Sequence, residues 1–371
     1  MKTFFDLIQE VQKKNRCHHC DGCVTFCSAI NYGALGIDEN GRPYYSDIDK
    51  CIECGLCYMI CPETNELDEE IKKRAERSAP SGRIIGTTIA RARDLIVRKK
   101  GTDGGVVTAI LLHLFEKGKI NGAIVSKNTG SGRVPWLAKT EEEILDAAGS
   151  HFDYSHGMAG FGSAYSTFSP SVSALSEIRK EGLSRIAFVG TPCQINSIRK
   201  MQALGIVPAD SIDLCLGLFC SGNFVMTEEN FNTLEDKYHI QYKDIEKINI
   251  KENFIITQTT GEKKELPLSA LENIKRTACR YSDDFSAEYA DISFGGLGAD
   301  DGWTTVVIRS PVGRAVFADA LENELENYRY QDNTRYATNA EDRVIHASRE
   351  KKACAVKNLQ DINSSGTRVI G

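Results

Sequence analysis

Most of the sulfur in this chain sits in two short runs. Cys17, Cys20, Cys23 and Cys27 follow the spacing C-x2-C-x2-C-x3-C. Cys51, Cys54, Cys57 and Cys61 repeat it, with Pro62 behind the last and Ser28 in the matching place of the first. Thiolates so spaced suit iron–sulfur cubes. Short C-x2-C turns aim three sulfurs at one cluster, and the fourth cysteine of each run crosses to the other. The expected sets are Cys17, Cys20, Cys23 and Cys61 for one 4Fe–4S cluster, and Cys51, Cys54, Cys57 and Cys27 for a second. Zinc is the competing reading, but zinc sites pair C-x2-C units across a longer loop. His18 and His19 read as surface or polar neighbours of the ligands. Two such clusters pass single electrons and cannot by themselves accept a hydride, so the rest of the chain must supply what they connect.

The chain has 371 residues, 41% hydrophobic and 26% charged, as expected of a soluble globular protein of two or three domains. A net charge of −6 argues against a nucleic-acid binder. The start shows no signal peptide. The longest apolar stretch, residues 106–115, is far short of the ~20 residues of a membrane span. Thirteen cysteines without a secretion signal point to a reducing, cytoplasmic setting in which thiols serve metals or redox chemistry.

The elements that must position a second centre follow the cysteine runs. Residues 1–82 form a ferredoxin-like module with a small β-rich spacer, a charged helix and an Ala-Pro-Ser-Gly linker. A basic run at 91–100 reads either as a solvated face or as anion-facing. Asp103-Gly104-Gly105 then opens a helix whose apolar residues recur at helical spacing. Such a turn can approach phosphate, or simply precede a core helix. Residues 120–127 and 183–190 read as buried strands. The second runs into Thr191-Pro192, a helix cap and first turn, which places Cys193 at a helix N-terminus. There Cys193 is either a ligand, a reactive thiol or an inert buried cysteine. Residues 211–222 make a third strand with Cys215 and Cys220. Further strands include a hairpin at Thr260-Gly261-Glu262, and Ser310-Pro311 starts a last clear helix. The tail beyond about residue 330 is polar and uninformative. The fold class expected is mixed α+β and α/β: a bacterial-ferredoxin-like two-cluster module, 1–82, a mixed α/β domain, 83–325, and an extension, 326–371.

DGGVVTAIL, FVGTPCQI, GLFC, a cysteine before DFSAEYADIS, and GGLGADDGWTTVVIR stand in an order that resembles the coenzyme F420 hydrogenase/dehydrogenase beta-subunit family, over about residues 83 to 325. The resemblance implies a flavin domain holding FAD, exchanging a hydride with coenzyme F420, and passing single electrons to or from a ferredoxin or partner reductase subunit. That subunit could belong to a membrane-bound complex. It also implies FAD-contacting loops at Asp103, Gly104, Gly105 and Val106 with Thr108. A Gly-Ser segment would join them, either Gly149-Ser150 or Gly162-Ser163 with Tyr165. Gly295, Gly296, Gly302, Trp303 and Thr304 would lie near the flavin. A third cluster would use Cys193, Cys220 and a C-x2-C beginning at Cys279. Ser282 stands at the second position of that pair, and Cys215 could supply the missing thiolate if its strand bends at Gly217. No acid–base side chain is nominated. The alternatives are a ferredoxin-driven reductase of an unsaturated organic substrate and a non-catalytic electron-transfer subunit.

Overall fold

The computed structural model describes residues 1–39, 41–128, 133–149, 171–224, 228–240, 244–328 and 333–365. Between the cysteine runs, β1 (Leu35–Ile37) and β2 (Pro43–Tyr45) form an antiparallel hairpin with Leu35 opposite Tyr45. The two runs are conformational copies. His19 and Asp21 in the first, and Glu53 and Gly55 in the second, occupy equal offsets from Cys17 and Cys51 and all take positive φ. Left-handed residues at alternate positions coil the backbone tightly, which turns successive thiols the same way. Gly55 carries a second constraint, since a Cβ there would lie 2.7 Å from the Lys2 carbonyl oxygen. Phe4, Leu7, Val11, Val24, Leu35 and Tyr58 fill the space between the runs.

The remaining strands in chain order are β3 (Gly86–Ala92), β4 (Gly122–Asn128), β5 (Arg133–Ala138), β6 (Ile186–Gly190), β7 (Ile212–Leu218), β8 (Ile245–Ile250), β9 (Asn253–Gln258), β10 (Lys263–Pro267), β11 (Ile292–Gly295), β12 (Thr304–Ile308) and β13 (Leu325–Asn327). One eight-stranded sheet has the order β13-β3-β12-β11-β7-β6-β4-β5, and β10-β9-β8 make a small antiparallel sheet. β11, β7, β6 and β4 are parallel, while β12 is antiparallel to both β11 and β3. β3 therefore points with the parallel four. The carboxyl ends of β3, β4, β6, β7 and β11 share one edge, where open α/β sheets bind ligands.

The principal helices are α1 (Val106–Glu116), α2 (Pro192–Ala203), α3 (Pro311–Asn323) and α4 (Asn333–Ser365). The starts of α2 and α3 are built as the sequence predicts. Thr191 and Gln194 cap α2 reciprocally with Pro192 at the first position, and Ser310 accepts the Gly313 N–H ahead of α3. α1 and α3 cover one face of the sheet, where Ile110, Leu114 and Phe317 meet Leu214 and Leu216. On the other face Ile195, Ile198 and Met201 of α2 meet Ile186 and Phe188, and also Phe26, Ile60 and Ile71 of the cysteine-rich module. The module thus shares a core with the sheet instead of hanging from a linker. Buried Arg309 ties down the connection by donating to the carbonyl oxygens of Ser81, Arg83 and Ser286. Glu288, with no exposed side-chain surface, pairs with both Arg77 of the connection and Lys352 of α4. The polar tail therefore carries structure: most of it is the single helix α4, packed along β3 and β12. Among the described residues no helix is long and apolar enough to cross a membrane.

Candidate functional site

A cavity of about 1110 Å³ opens along the edge where the parallel strands end. Its floor is the loop between β3 and α1. Gly104 donates its N–H to Thr304 Oγ1 at 2.9 Å, and a Cβ on Gly104 would lie 2.8 Å from the Ala90 carbonyl oxygen. Gly105 caps α1 with φ of 72°, and a Cβ there would lie 2.9 Å from the Val97 carbonyl oxygen, so the turn favours glycine on both counts. Asp103 lies half-buried beside it. Burial pushes its carboxyl up, while Lys251 and a 2.7 Å hydrogen bond from Asn249 Nδ2 oppose that shift. Opposite, a Cβ on Gly295 would fall 2.1 Å from the Phe219 ring, and one on Gly296 3.0 Å from Asp103 Oδ2. The small sheet contributes Ile248 and Ile250, and α4 closes one wall with Arg343, His346, Glu350 and Lys351. Lys351 locks that wall by donating to the Cys220 and Asp284 carbonyl oxygens at 2.6 and 2.8 Å.

Of the residues singled out from sequence, Asp103, Gly105, Val106, Thr108, Gly149, Gly295, Gly296, Thr304, Cys220 and Cys279 line this cavity. Gly104 supports it from behind. Trp303 does not line it: its ring packs on Tyr328 at 4.7 Å under the Arg91 guanidinium, next to Ile89 and Tyr336, and Gly302 lies on the same turn. Ser150, Gly162, Ser163 and Tyr165 lie outside the described residues. Sequence reasoning missed α4 and the small sheet altogether as walls of the site.

Three thiols converge where the cavity meets α2. Cys193, Cys220 and Cys279 are electrostatic neighbours, and the last two line the cavity along with Ser282. The segment from Cys220 runs antiparallel to that holding Cys279, since the Cys220 N–H bonds the Phe285 carbonyl and Phe224 bridges to Lys275. Burial would raise the Cys279 thiol, but a His18 hydrogen bond and the Arg276 charge bring it down to about 6. The Asn223 N–H also donates to Cys279 Sγ at 3.3 Å. At Cys193 burial prevails and raises the thiol, despite the helix N-terminus and Thr191 Oγ1 at 3.3 Å.

Cys215 is not brought to these three. It lies mid-strand, fully buried, with Arg199 and Asp291 as charged neighbours and its own N–H on Asp291 Oδ2 at 2.8 Å. From Leu214 to Gly217 β7 pairs in register with β6, so the bend at Gly217 that would redirect Cys215 is absent. Arg199 is six residues beyond Cys193 on α2, roughly 9 Å of helix rise.

The eight N-terminal thiols fall into two neighbourhoods. Cys23 is surrounded chiefly by Cys17, Cys20 and Cys61, and Cys61 by Cys20 and Cys17. Cys27 faces Cys51 and Cys54, and Cys57 faces Cys54, Cys27 and Cys51. Among the described residues no three His, Cys, Asp or Glu side chains are arranged to hold a single metal ion. Thiolates on separate corners of a cluster stand farther apart than ligands of one ion. The first neighbourhood adjoins the three thiols of the cavity: Cys20 is the leading charged neighbour of Cys193. His18 bridges the same gap. Burial would lower it, but the Glu63 carboxylate at 2.5 Å holds it at about 9, and it also bonds Cys279. Arg276, buried, donates to the Cys17 carbonyl oxygen at 3.1 Å.

α2 spans from the cavity's thiol group to the cysteine-rich module. Cys193, Ser197 and Lys200 follow one face. Ser197, fully buried, lies against Gly22 of the first cysteine run, and Lys200, fully buried, donates to the Cys61 and Thr64 carbonyl oxygens at 2.9 and 2.7 Å and pairs with Asp68. Lysine at helical spacing from Cys193 was the available sequence signal, and alone it resembles any surface lysine.

Residues 9–77 match the 4Fe-4S dicluster domain, so this is an iron–sulfur protein with its dicluster domain at the N-terminal end of the chain. Residues 87–161 and 183–332 match the N-terminal and C-terminal parts of the coenzyme F420 hydrogenase/dehydrogenase beta subunit. The coenzyme F420 hydrogenase subunit beta of Methanococcus voltae is 33% identical over 250 residues, 66% of this chain and 83% of that protein. The chain belongs to this family. The coenzyme F420-dependent sulfite reductase of Methanocaldococcus jannaschii is 31% identical over 325 residues, 83% of this chain, which spans only 46% of that enzyme's length. A chain of the F420-reducing [NiFe] hydrogenase complex from Methanosarcina barkeri superposes with a TM-score of 0.64 at 26% identity, covering 77% of this chain and 94% of that one.

Proposed function

We propose that this chain exchanges a hydride between coenzyme F420 and an FAD held in the cavity, and passes single electrons through 4Fe–4S clusters to or from a ferredoxin or a partner reductase subunit. FAD supplies the exchange between paired and single electrons; the protein's part is to bind, orient and insulate. The observation that carries the reading is continuity. One cavity touches Cys220 and Cys279, their neighbour Cys193 adjoins Cys20, and beyond Cys20 lie both N-terminal cysteine groups.

The residues present fit the groups. The floor offers a glycine turn at the start of the 11-residue helix α1, with backbone N–H groups for phosphate. The volume exceeds that of an ordinary small-ligand pocket, typically ~300–1,000 Å³. Gly295 and Gly296 keep the opposite wall free of side chains. Cys17, Cys20, Cys23 and Cys61 would hold one cluster, Cys51, Cys54, Cys57 and Cys27 the second, and Cys193, Cys220 and Cys279 a third. Arg276 and His18 favour the thiolate form of Cys279, the form a cluster takes.

Anaerobic stopped-flow mixing with reduced F420 tests the reading. Loss of the oxidised-flavin absorbance, followed by reduction of the iron–sulfur bands, is expected. Reduction by NADH and none by reduced F420, or protein purified without flavin, would overturn it.

A further inference from the structure

Ser282 turns the third thiol group into an incomplete set. A C-x2-C beginning at Cys279 would place its second thiolate at residue 282, and serine stands there, on the cavity wall. Cys215, the remaining cysteine of the strand, is fixed elsewhere by Arg199 and Asp291, and Cys354 of α4 borders the same cavity but is exposed and is not among the leading charged neighbours of Cys193, Cys220 or Cys279. Cys20, next to Cys193, already belongs to the first N-terminal group. Three thiols are left for a cluster that usually takes four.

We infer that the third cluster, on the reading above, is held by Cys193, Cys220 and Cys279 alone, and that its fourth iron lacks a protein thiolate on the side of Ser282 and is open to the cavity. Two further features agree. Cys220, Cys279 and Ser282 all border the cavity. Cys193, on α2, does not line the cavity and neighbours Cys20 as well as Cys220 and Cys279, so one of the three thiolates holds the cluster from the protein side. An iron so exposed is exchangeable and can take a small anionic donor, such as hydroxide or cyanide, from the cavity. Under a one-electron oxidant it is also the iron that leaves. The 2+ cube loses one electron and separates into a 3Fe–4S unit of charge 1+ and one Fe²⁺, with no thiolate released.

The test uses the full chain, purified or reconstituted anaerobically and titrated with ferricyanide, with electron paramagnetic resonance and released Fe²⁺ as readouts. Wild type should develop a 3Fe–4S signal and release about one iron per chain. Ser282→Ala should behave as wild type, whereas Ser282→Cys, which completes the thiolate set, should retain its iron and give no such signal. Absence of the signal in wild type would overturn the inference, because the fourth iron would be firmly held. So would a Ser282→Cys signal equal to wild type, which would place the labile iron in the N-terminal module. A signal and iron release much larger in Ser282→Ala than in wild type would also overturn it, since the serine oxygen would then be the ligand. A separate variant, Cys193→Ala, addresses the underlying reading. Loss of about four irons supports a third cluster, and unchanged iron content removes it.

Discussion

Replacing Lys200 by methionine removes the one ammonium group that joins α2 to the dicluster module. The Lys200 side chain has no exposed surface, whereas that of Asp68 is 27% exposed. The change keeps the apolar stem and so leaves little cavity. Its cost is worked from the acceptors left behind. The Cys61 carbonyl still receives the Thr64 N–H and hydroxyl. The Thr64 carbonyl loses a 2.7 Å bond from a charged donor. A buried acceptor left open costs about 1–3 kcal/mol. Asp68 turns partly to water and adds less than about 1 kcal/mol. The desolvation of the ammonium is relieved, which offsets part of the loss. The net expectation is a loss of about 2 kcal/mol, or ~30-fold faster amide exchange. A local measurement is needed, because bound clusters make global unfolding depart from two-state behaviour. Hydrogen exchange on anaerobic protein should therefore show faster exchange in residues 192–203 and 61–71, with β3 and β12 unchanged. Asp68→Asn should move the same peptides far less. Exchange within about 2-fold of wild type in Lys200→Met would refute the argument that this buried lysine fastens the module to the sheet.

Other expectations follow from the same geometry. At Gly22 a Cβ would lie 2.4 Å from Ser197 Oγ. Gly22→Ala should therefore destabilise the docked module by about 1–3 kcal/mol, read as faster hydrogen exchange in residues 192–203, and Ser197→Ala in the same chain should restore most of it. Glu288→Gln leaves Arg77 and Lys352 facing a neutral group in a fully buried place. It should cost about 3 kcal/mol, with faster proteolysis at the 76–82 connection; an unchanged cleavage rate would count against the role of Glu288. The crossed cysteine sets give an arithmetic test by iron analysis. Cys27→Ser with Cys51→Ser strikes one cluster and should remove about four irons, whereas Cys27→Ser with Cys17→Ser strikes both and should remove about eight.

How far these features could be read from the residues depends on the range of the signal. The grouping of the N-terminal thiols into two neighbourhoods was legible because the spacing is local, and the chain repeats its left-handed turns at the same offsets in both runs. The starts of α2 and α3 were legible for the same reason, through Thr191-Pro192 and Ser310-Pro311. The expectation for Cys215 needed a bend at Gly217. What holds β7 straight there is its pairing with Gly190 of β6 and the approach of Ala287, whose Cβ would sit 2.3 Å from a Cβ on Gly217. Glycine at 217 thus answers to packing from residues 70 positions away, and no local pattern distinguishes that from a hinge. α4 failed to register for the converse reason. Its buried residues, Ala340, Val344, Ser348 and Ala355, recur at helical spacing but are small, and its other contacts run through Lys351 and Lys352 to backbone oxygens and Glu288. Hydrophobic periodicity detects helices that bury apolar stripes. A stripe of small residues set among lysines gives little of that signal, which is why a helix packed along β3 and β12 at the edge of the cavity is faint in the sequence.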